Sequence, residues 1–454
     1  MVRGDQYGIL ASRQAWRVIN ARSFILSTAM LLALSVSLFA QDPILDGVNQ
    51  RIEEHRKQTV AVTILGPDGK PVAVDTDISI ALTRHAFLFG ANLFRFDDLA
   101  TRQNTEDYRK HFAELFNYAT LPFYWQFYEQ QPDATDRSHR VRVADWCRQN
   151  SIHCKGHTLY WVLEPPWVQS RRDAEARLFG RIHREAREFR GLIDYWDVLN
   201  EPVVNAQLAR ERGAVIAART YDRYGTRAVI RRAFAQARRG NPDAKLILND
   251  FMLDDRLEKI IRDAQADNVP IDAIGIQSHM HDGYWGYRKL WNICERFGKF
   301  GIPIHFTELT ILSGRDRLPT DREQTPLLNA WHNTPEGEKK QRDQVRELYH
   351  VLFSHPAVEA ISWWDFTDQK AWMGAPAGLL DRNMKPKVAF YELQSLIKQG
   401  WTTRLTASTD PNGVIEFRGF YGEYQCQAEI DGHQRAATFR LEKGGPTSLV
   451  VQLR

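Results

Sequence analysis

Residues 192–202 read LIDYWDVLNEP. An apolar and aromatic run ends abruptly in Asn200-Glu201-Pro202, and nothing about Leu, Ile, Tyr, Trp or Val calls for a carboxylate at that point. Pro202 cannot continue a sheet ladder, so the strand stops there. That places Asn200 and Glu201 at the C-terminal rim of a buried strand, where barrel enzymes keep their chemistry. Residues 302–309, IPIHFTEL, repeat the shape and close on Glu308. For either Glu alone, a solvated strand end is the lesser alternative; for both together it falls away. Two carboxylates closing two buried strands are the equipment of glycoside hydrolysis.

Around these two stretches the chain alternates strand and helix. Strands are expected at 87–92, 118–125, 153–161, 192–201, 245–251, 273–280, 303–309 and 360–368. Most are near-continuous apolar runs, as parallel strands buried on both faces require. Between them, Leu290, Ile293, Cys294 and Phe297 repeat at helical spacing, as do Ile230, Ala233, Phe234 and Ala237. The arginines 227, 231, 232, 238 and 239 then fall largely on solvated helix faces. Eight strands alternating with helices predict an α/β fold, a (β/α)₈ TIM barrel over about 84–400. Residues 202–225 and 311–340 exceed ordinary loops and would wall a cleft over the C-terminal face.

The ends read differently. Residues 59–65 and 72–82 alternate like half-buried strands, within an N-terminal β-strand region at 41–83. Residues 401–454 alternate as short strands between Gly-rich turns and form a small β domain. Alone it is marginal for a core. The two ends are expected to join in one β-rich accessory sandwich.

At 454 residues the chain has room for one large domain and a smaller one. The formal charge of +4 leaves no footprint for nucleic acid, and the substrate need not be charged. Residues 24–40, FILSTAMLLALSVSLFA, follow a lead of four arginines against one aspartate. The stretch is short for a membrane span and reads as an export signal over 1–40, with secretion or a periplasmic location expected. Cleavage after Ala40 puts bulky Leu38 three positions back, so a retained membrane anchor is the alternative. Cys147, Cys154, Cys294 and Cys426 suggest no disulfide framework, and no metal or other cofactor is expected, since no Cys or His pair has zinc spacing. A monomer is expected.

Polar residues recur where a barrel core should be apolar. His157 sits mid-strand in GHTLYW, and Gln277 and His279 lie two apart on one expected strand, hence on one face. Asn249 and Asp250 end another strand, and Trp364, Asp368 and Trp372 follow the eighth. All converge on the rim of Glu201 and Glu308.

With these stretches the sequence resembles glycoside hydrolase family 10, the xylanase family. The matching motifs are GHTLYW (156–161), WDVLNEP (196–202), LND (248–250), IGIQSHM (274–280), FTEL (306–309), WDFTDQKAW (364–372) and GLLD (378–381), in the family's order. The resemblance implies a (β/α)₈ barrel cleaving β-1,4-linked xylan or a related β-glycan with retention of configuration. Glu201 would be the general acid/base and Glu308 the nucleophile. Asn200 would bond the sugar 2-hydroxyl, His279 would hold the nucleophile, Gln277 would lie near the reacting ring, and Trp364 and Trp372 would wall the cleft. His157 belongs to the same substrate-binding set.

The departures fall on one side. Where the family's second strand continues with Glu-Asn and then Lys-Trp, gripping the sugar on the non-reducing side, this chain has Pro122, Phe123, Gln126 and Phe127. Phe123 and Tyr124 are expected to fill some of that volume. Val162 replaces a His after GHTLYW, and Thr310 replaces the Asp after TEL. Donor-side recognition of plain xylose units should therefore be weak. The alternatives are a glycosidase for another β-glycan or a small glycoside, and a non-catalytic carbohydrate-binding barrel.

Overall fold

In the computed structural model, residues 42–317 and 331–454 are described. The expected export segment and residues 318–330 of the second long segment lie outside them. Among the described residues no helix is long and apolar enough to cross a membrane.

Eight parallel strands close the barrel among the described residues: β3 Leu88–Asn92, β4 Tyr118–Pro122, β5 His153–Tyr160, β6 Tyr195–Asn200, β7 Lys245–Asp250, β8 Ala273–Ile276, β9 Ile304–Leu309 and β10 Val358–Trp363. β10 pairs with both β9 and β3, which completes the ring. The apolar runs are buried along nearly their whole length, as strands covered by helices outside and side chains inside must be. Gly156 is required where it stands. A Cβ there would fall inside the indole of Trp196 on neighbouring β6.

The two periodic stretches are helices, Val215–Gly240 and Tyr287–Gly298. Their apolar stripes, Ile230, Ala233, Phe234 and Ala237 in one and Leu290, Ile293, Cys294 and Phe297 in the other, are buried. Arg227, Arg232 and Arg238 face acidic partners at Asp267, Glu175 and Asp272. Residues 202–225 are mostly helical rather than an extended loop. A helix covers Asn205–Glu211, and Val215–Gly240 breaks only at Gly225, whose φ is 71°.

Strands β1 Lys57–Leu65 and β2 Asp77–His85 come before the barrel. β11 Arg404–Ser408, β12 Val414–Phe420, β13 Gly422–Ile430, β14 His433–Leu441 and β15 Ser448–Gln452 come after it. They form two sheets, β12-β1-β15 and β11-β2-β13-β14, over one core of Val60, Val62, Ile78, Ile80, Ile415, Phe417, Tyr424 and Cys426. Two expectations fail here. Residues 72–76 are turn, because β2 begins only at Asp77. Residues 43–56 are two short helices, Pro43–Asp46 and Val48–Arg56, the first started by the Asp42 side chain capping the Ile44 amide.

β2 leads into the N-terminal end of β3, so the sandwich lies under the barrel face opposite Asn200 and Glu308. Buried Arg56 pins the junction. Its guanidinium donates to the carbonyls of Phe353 (2.6 Å), His355 (2.6 Å) and Val358 (2.7 Å).

Candidate active site

β6 ends at Asn200, and Glu201 turns out of the strand with φ 57°, a left-handed conformation uncommon for a residue with a Cβ. The turn is held on both sides. The Glu201 amide donates to Asn249 O on β7 (2.7 Å), and its carbonyl accepts from the Asn205 amide (2.9 Å). The half-buried carboxylate therefore points across the mouth of the barrel. Trp161 Nε1 donates to Oε2 (3.1 Å), and Asn200 Nδ2 (3.0 Å) and Gln277 Nε2 (3.2 Å) donate to Oε1.

Glu308 lies inside β9 and is buried. Asn249 Nδ2 donates to its Oε1 (2.7 Å), and His279 Nε2 lies 3.0 Å from its Oε2. The same Asn249 amide donates to Asn200 Oδ1 (2.7 Å), while Thr307 Oγ1 donates to Asn249 Oδ1 (2.6 Å). One chain of amides thus joins the two carboxylates: Glu201, Asn200, Asn249, Glu308. Gly275 leaves the room for Asn249 that any side chain on β8 would take.

Beneath Glu308, buried Asp197 holds Lys155 Nζ and His157 Nδ1 at 2.7 Å each. His157 Nδ1 also stands 4.0 Å from Glu308 Oε1. Burial alone would raise Asp197, but Lys155 and His157 outweigh it and hold the carboxyl below its ordinary range.

The two glutamates sit in opposite environments. Burial raises Glu201, and the charge of Glu308 adds to that against the hydrogen bonds from Gln277 and Trp161 and the charge of Arg212. Burial pushes Glu308 up too, but His157, His279 and Lys155 prevail and hold it below the ordinary carboxylate range. The two carboxyls are thus pushed apart, Glu201 toward keeping its proton and Glu308 toward ionisation. Burial also pushes Asp250, next to this pair on β7, up to about 7.

Gln277 and His279 reach the site by a different route from the one expected. β8 ends at Ile276, so neither residue is on the strand, and Ser278 between them has φ 55°. They still face the same centre, one on each carboxylate. Trp364 is buried, edge-on to His157 (5.4 Å between ring centres) and His279 (5.7 Å). Trp372, 44% exposed, lies 4.8 Å from the His279 ring and forms an open wall.

Phe123 does not fill the cleft. It is fully buried behind β4, packed on Trp196 (4.9 Å), Phe189 (5.0 Å) and Tyr128 (5.1 Å). Tyr124 does face the mouth, edge-on to His157 at 5.2 Å. Thr310 is buried and accepts from the Met280 amide (2.7 Å), bracing the loop that carries His279. Glu164, after GHTLYW, accepts from the amides of Ile216 (3.0 Å) and Ala217 (2.5 Å) and so seats the helix that follows the Glu201 loop.

Asn249, expected at this rim as a polar strand end, joins the two carboxylates, while Asp197, Lys155 and Trp161 belong to the centre and were not singled out as site residues by the sequence. The signal was present: each is a polar or indole group inside an otherwise apolar strand or at its end.

The family model for Glycosyl hydrolase family 10 matches residues 82–396. The chain belongs to glycosyl hydrolase family 10. Among curated relatives, an anti-sigma-I factor of Acetivibrio thermocellus is 26% identical over 415 residues, which are 89% of this chain and 49% of that protein. Endo-1,4-beta-xylanase 2 of Arabidopsis thaliana is 23% identical, over 88% of this chain and 35% of that protein. A beta-1,4-xylanase of Dictyoglomus thermophilum is 28% identical over 63% of this chain and 82% of its own. The chain thus spans about half or less of the first two. The crystal structure of xylanase 10B from Thermotoga petrophila with xylobiose is similar at a TM-score of 0.57 and 25% identity, over 69% of this chain and 95% of that one.

Proposed function

We propose that this family 10 chain is an exported, retaining glycosidase acting on β-1,4-linked xylan or a related plant-type β-glycan. What supports the reading above all is the pairing of a carboxyl raised by burial with one held low by His157, His279 and Lys155, joined through Asn200 and Asn249. Ionised Glu308 attacks the anomeric carbon while protonated Glu201 gives its proton to the leaving oxygen. The glycosyl ester on Glu308 then reacts with a water from which Glu201, now a carboxylate, takes the proton. In this reading Asn200, bonded to both Glu201 and Asn249, takes the sugar 2-hydroxyl. The xylanase relatives favour xylan as the substrate class, and residues 24–40 favour export.

The missing donor-side Glu, Asn and Lys favour a decorated xylan or another β-linked glycan over plain linear xylan. A site that loses polar groups bonding substrate hydroxyls loses on the order of 10²-fold discrimination or more.

The test uses both carboxylate variants on a panel of polysaccharides and 2,4-dinitrophenyl glycosides. Glu308→Ala should lose turnover on all of them. Glu201→Ala should lose the polysaccharides, by about 10²–10⁴-fold, and keep activity on the dinitrophenyl leaving group, which needs no proton. Near-normal activity of both variants on a natural glycan would overturn the assignment.

A further inference from the structure

The donor side of the cleft carries a group that the family resemblance does not supply. β4 ends at Pro122, and the two residues after it diverge. Phe123 enters the core behind the strand, and Tyr124 stands on the opposite side, over the mouth. The Tyr124 ring is fixed by four neighbours: His157 edge-on at 5.2 Å, Trp161 at 5.6 Å, Phe94 at 6.1 Å and Phe127 at 6.4 Å. Phe94 in turn meets Trp364 at 5.3 Å. Side chains following β10, β3, β4 and β5 thus form a continuous aromatic arc along one half of the rim. Two members of that arc touch the catalytic pair directly or nearly so. Trp161 bonds Glu201, and Trp364 abuts His157 and His279 around Glu308.

Within the arc, Tyr124 bears the one hydroxyl. Its ring is half-buried, yet its phenol makes no hydrogen bond among the described residues. Packing alone would be served by Phe, as it is at Phe94 and Phe123. Unlike the hydroxyls of Tyr118 and Tyr349, which are sealed in the interior without a partner, that of Tyr124 keeps access to the mouth, where a substrate group can meet it. Burial, together with the charges of Glu308 and Glu201, raises its pKa well above the ordinary value. The phenol therefore keeps its proton, close enough to both carboxylates to feel their charge.

We propose that Tyr124 is a substrate-contacting residue: its phenol donates a hydrogen bond to a hydroxyl of the donor sugar held at Glu308, in place of a charged grip. The proposal rests on the glycosidase reading above. Asn200 lies on the Glu201 side, next to where the 2-hydroxyl would sit, so Tyr124 takes a hydroxyl further round the ring, on the His157 side. One neutral donor in an aromatic arc fixes the sugar at fewer points than Glu, Asn and Lys would. Substituents on the donor sugar are thereby tolerated.

The experiment compares the full chain with its Tyr124→Phe variant on 2,4-dinitrophenyl β-xyloside, β-xylobioside, β-glucoside and β-cellobioside, then on monodeoxy analogues of the best probe. Tyr124→Phe should lower kcat/KM about 3- to 15-fold, the worth of one neutral hydrogen bond. The loss should disappear on the single deoxy analogue lacking the contacted hydroxyl and persist on the others, which a purely structural role would not produce. Equal loss on every analogue, or kcat/KM unchanged in the variant, overturns the contact while leaving the carboxylate pair in place. Wild type inactive on all four probes, with no 2-deoxy-2-fluoro glycoside labelling Glu308, overturns the glycosidase reading and this inference with it.

Discussion

The amide nitrogen of Asn249 lies 2.7 Å from Oε1 of Glu308, and its second hydrogen goes to Asn200 at the same distance. Thr307 donates to the amide oxygen and fixes which end of Asn249 faces the carboxylate. Asn249→Asp keeps the shape but sets a second carboxylate against Glu308. Like charges at that range cannot both ionise cheaply, so the Glu308 pKa should rise. kcat/KM at neutral pH should fall by about 10²-fold or more, and the acid limb of its pH profile should move to higher pH. An unmoved acid limb would place Asn249 outside the ionisation of Glu308.

The pH profile itself follows from the opposed environments. Glu308 must be ionised and is held low, so activity should persist well to the acid side. Glu201 must keep its proton and is raised, so activity should fall only as pH rises through its elevated pKa. Trp161 bonds the Glu201 carboxylate, and Arg212 lies over the Trp161 ring with its charge felt at Glu201. Both lower Glu201. Trp161→Phe and Arg212→Gln should each move the alkaline limb upward, and movement downward in both would contradict the electrostatics.

Phe123 and Tyr124, adjacent in sequence, should behave as unlike residues. Phe123→Ala empties a fully buried ring position and should cost about 3–5 kcal/mol of stability in urea unfolding. Tyr124→Phe should leave the unfolding midpoint within error.

Arg56 gives a third kind of outcome. Arg56→Met removes three buried hydrogen bonds to carbonyls and leaves those oxygens without donors, at a cost of about 2–4 kcal/mol. Since Arg56 lies on the barrel face away from the carboxylates, kcat/KM per folded molecule should not change. Denaturation and active-site titration together separate the two effects.

The barrel was legible because its strands are apolar on both faces and stop where Pro, Gly or a carboxylate interrupts the run. Asn200, Glu201 and Glu308 were legible for the same reason, as polar groups closing such runs. Gln277 and His279 converge as expected, yet strand alternation does not produce it. Ser278 turns left-handed, a backbone choice no periodicity reveals. Phe123 was misplaced because the residue after a strand's end no longer obeys alternation, and only Trp196, Phe189 and Tyr128 around it decide its side. Residues 43–56 escaped notice because their short helices depend on the Asp42 cap and on contact with the barrel. Asp197 was overlooked because its partner Lys155 stands on the preceding strand, and only the pairing of β5 with β6 brings the two together.

β1 and β2 are interior strands of their two sheets, and every strand flanking them, β12, β15, β11 and β13, comes from the segment 404–452 after the barrel. On the ribosome these two strands emerge before the barrel, with both edges open. They wait for the whole barrel to be made before a partner appears, on the order of tens of seconds at ordinary elongation rates. An open strand edge of that kind invites intermolecular pairing. A chain folding as it is translated would need a holding chaperone at its amino-terminal end, whereas one threaded across a membrane before folding would meet all its strands at once. Truncation by even the final strand, β15, should accordingly give insoluble material rather than a shortened enzyme.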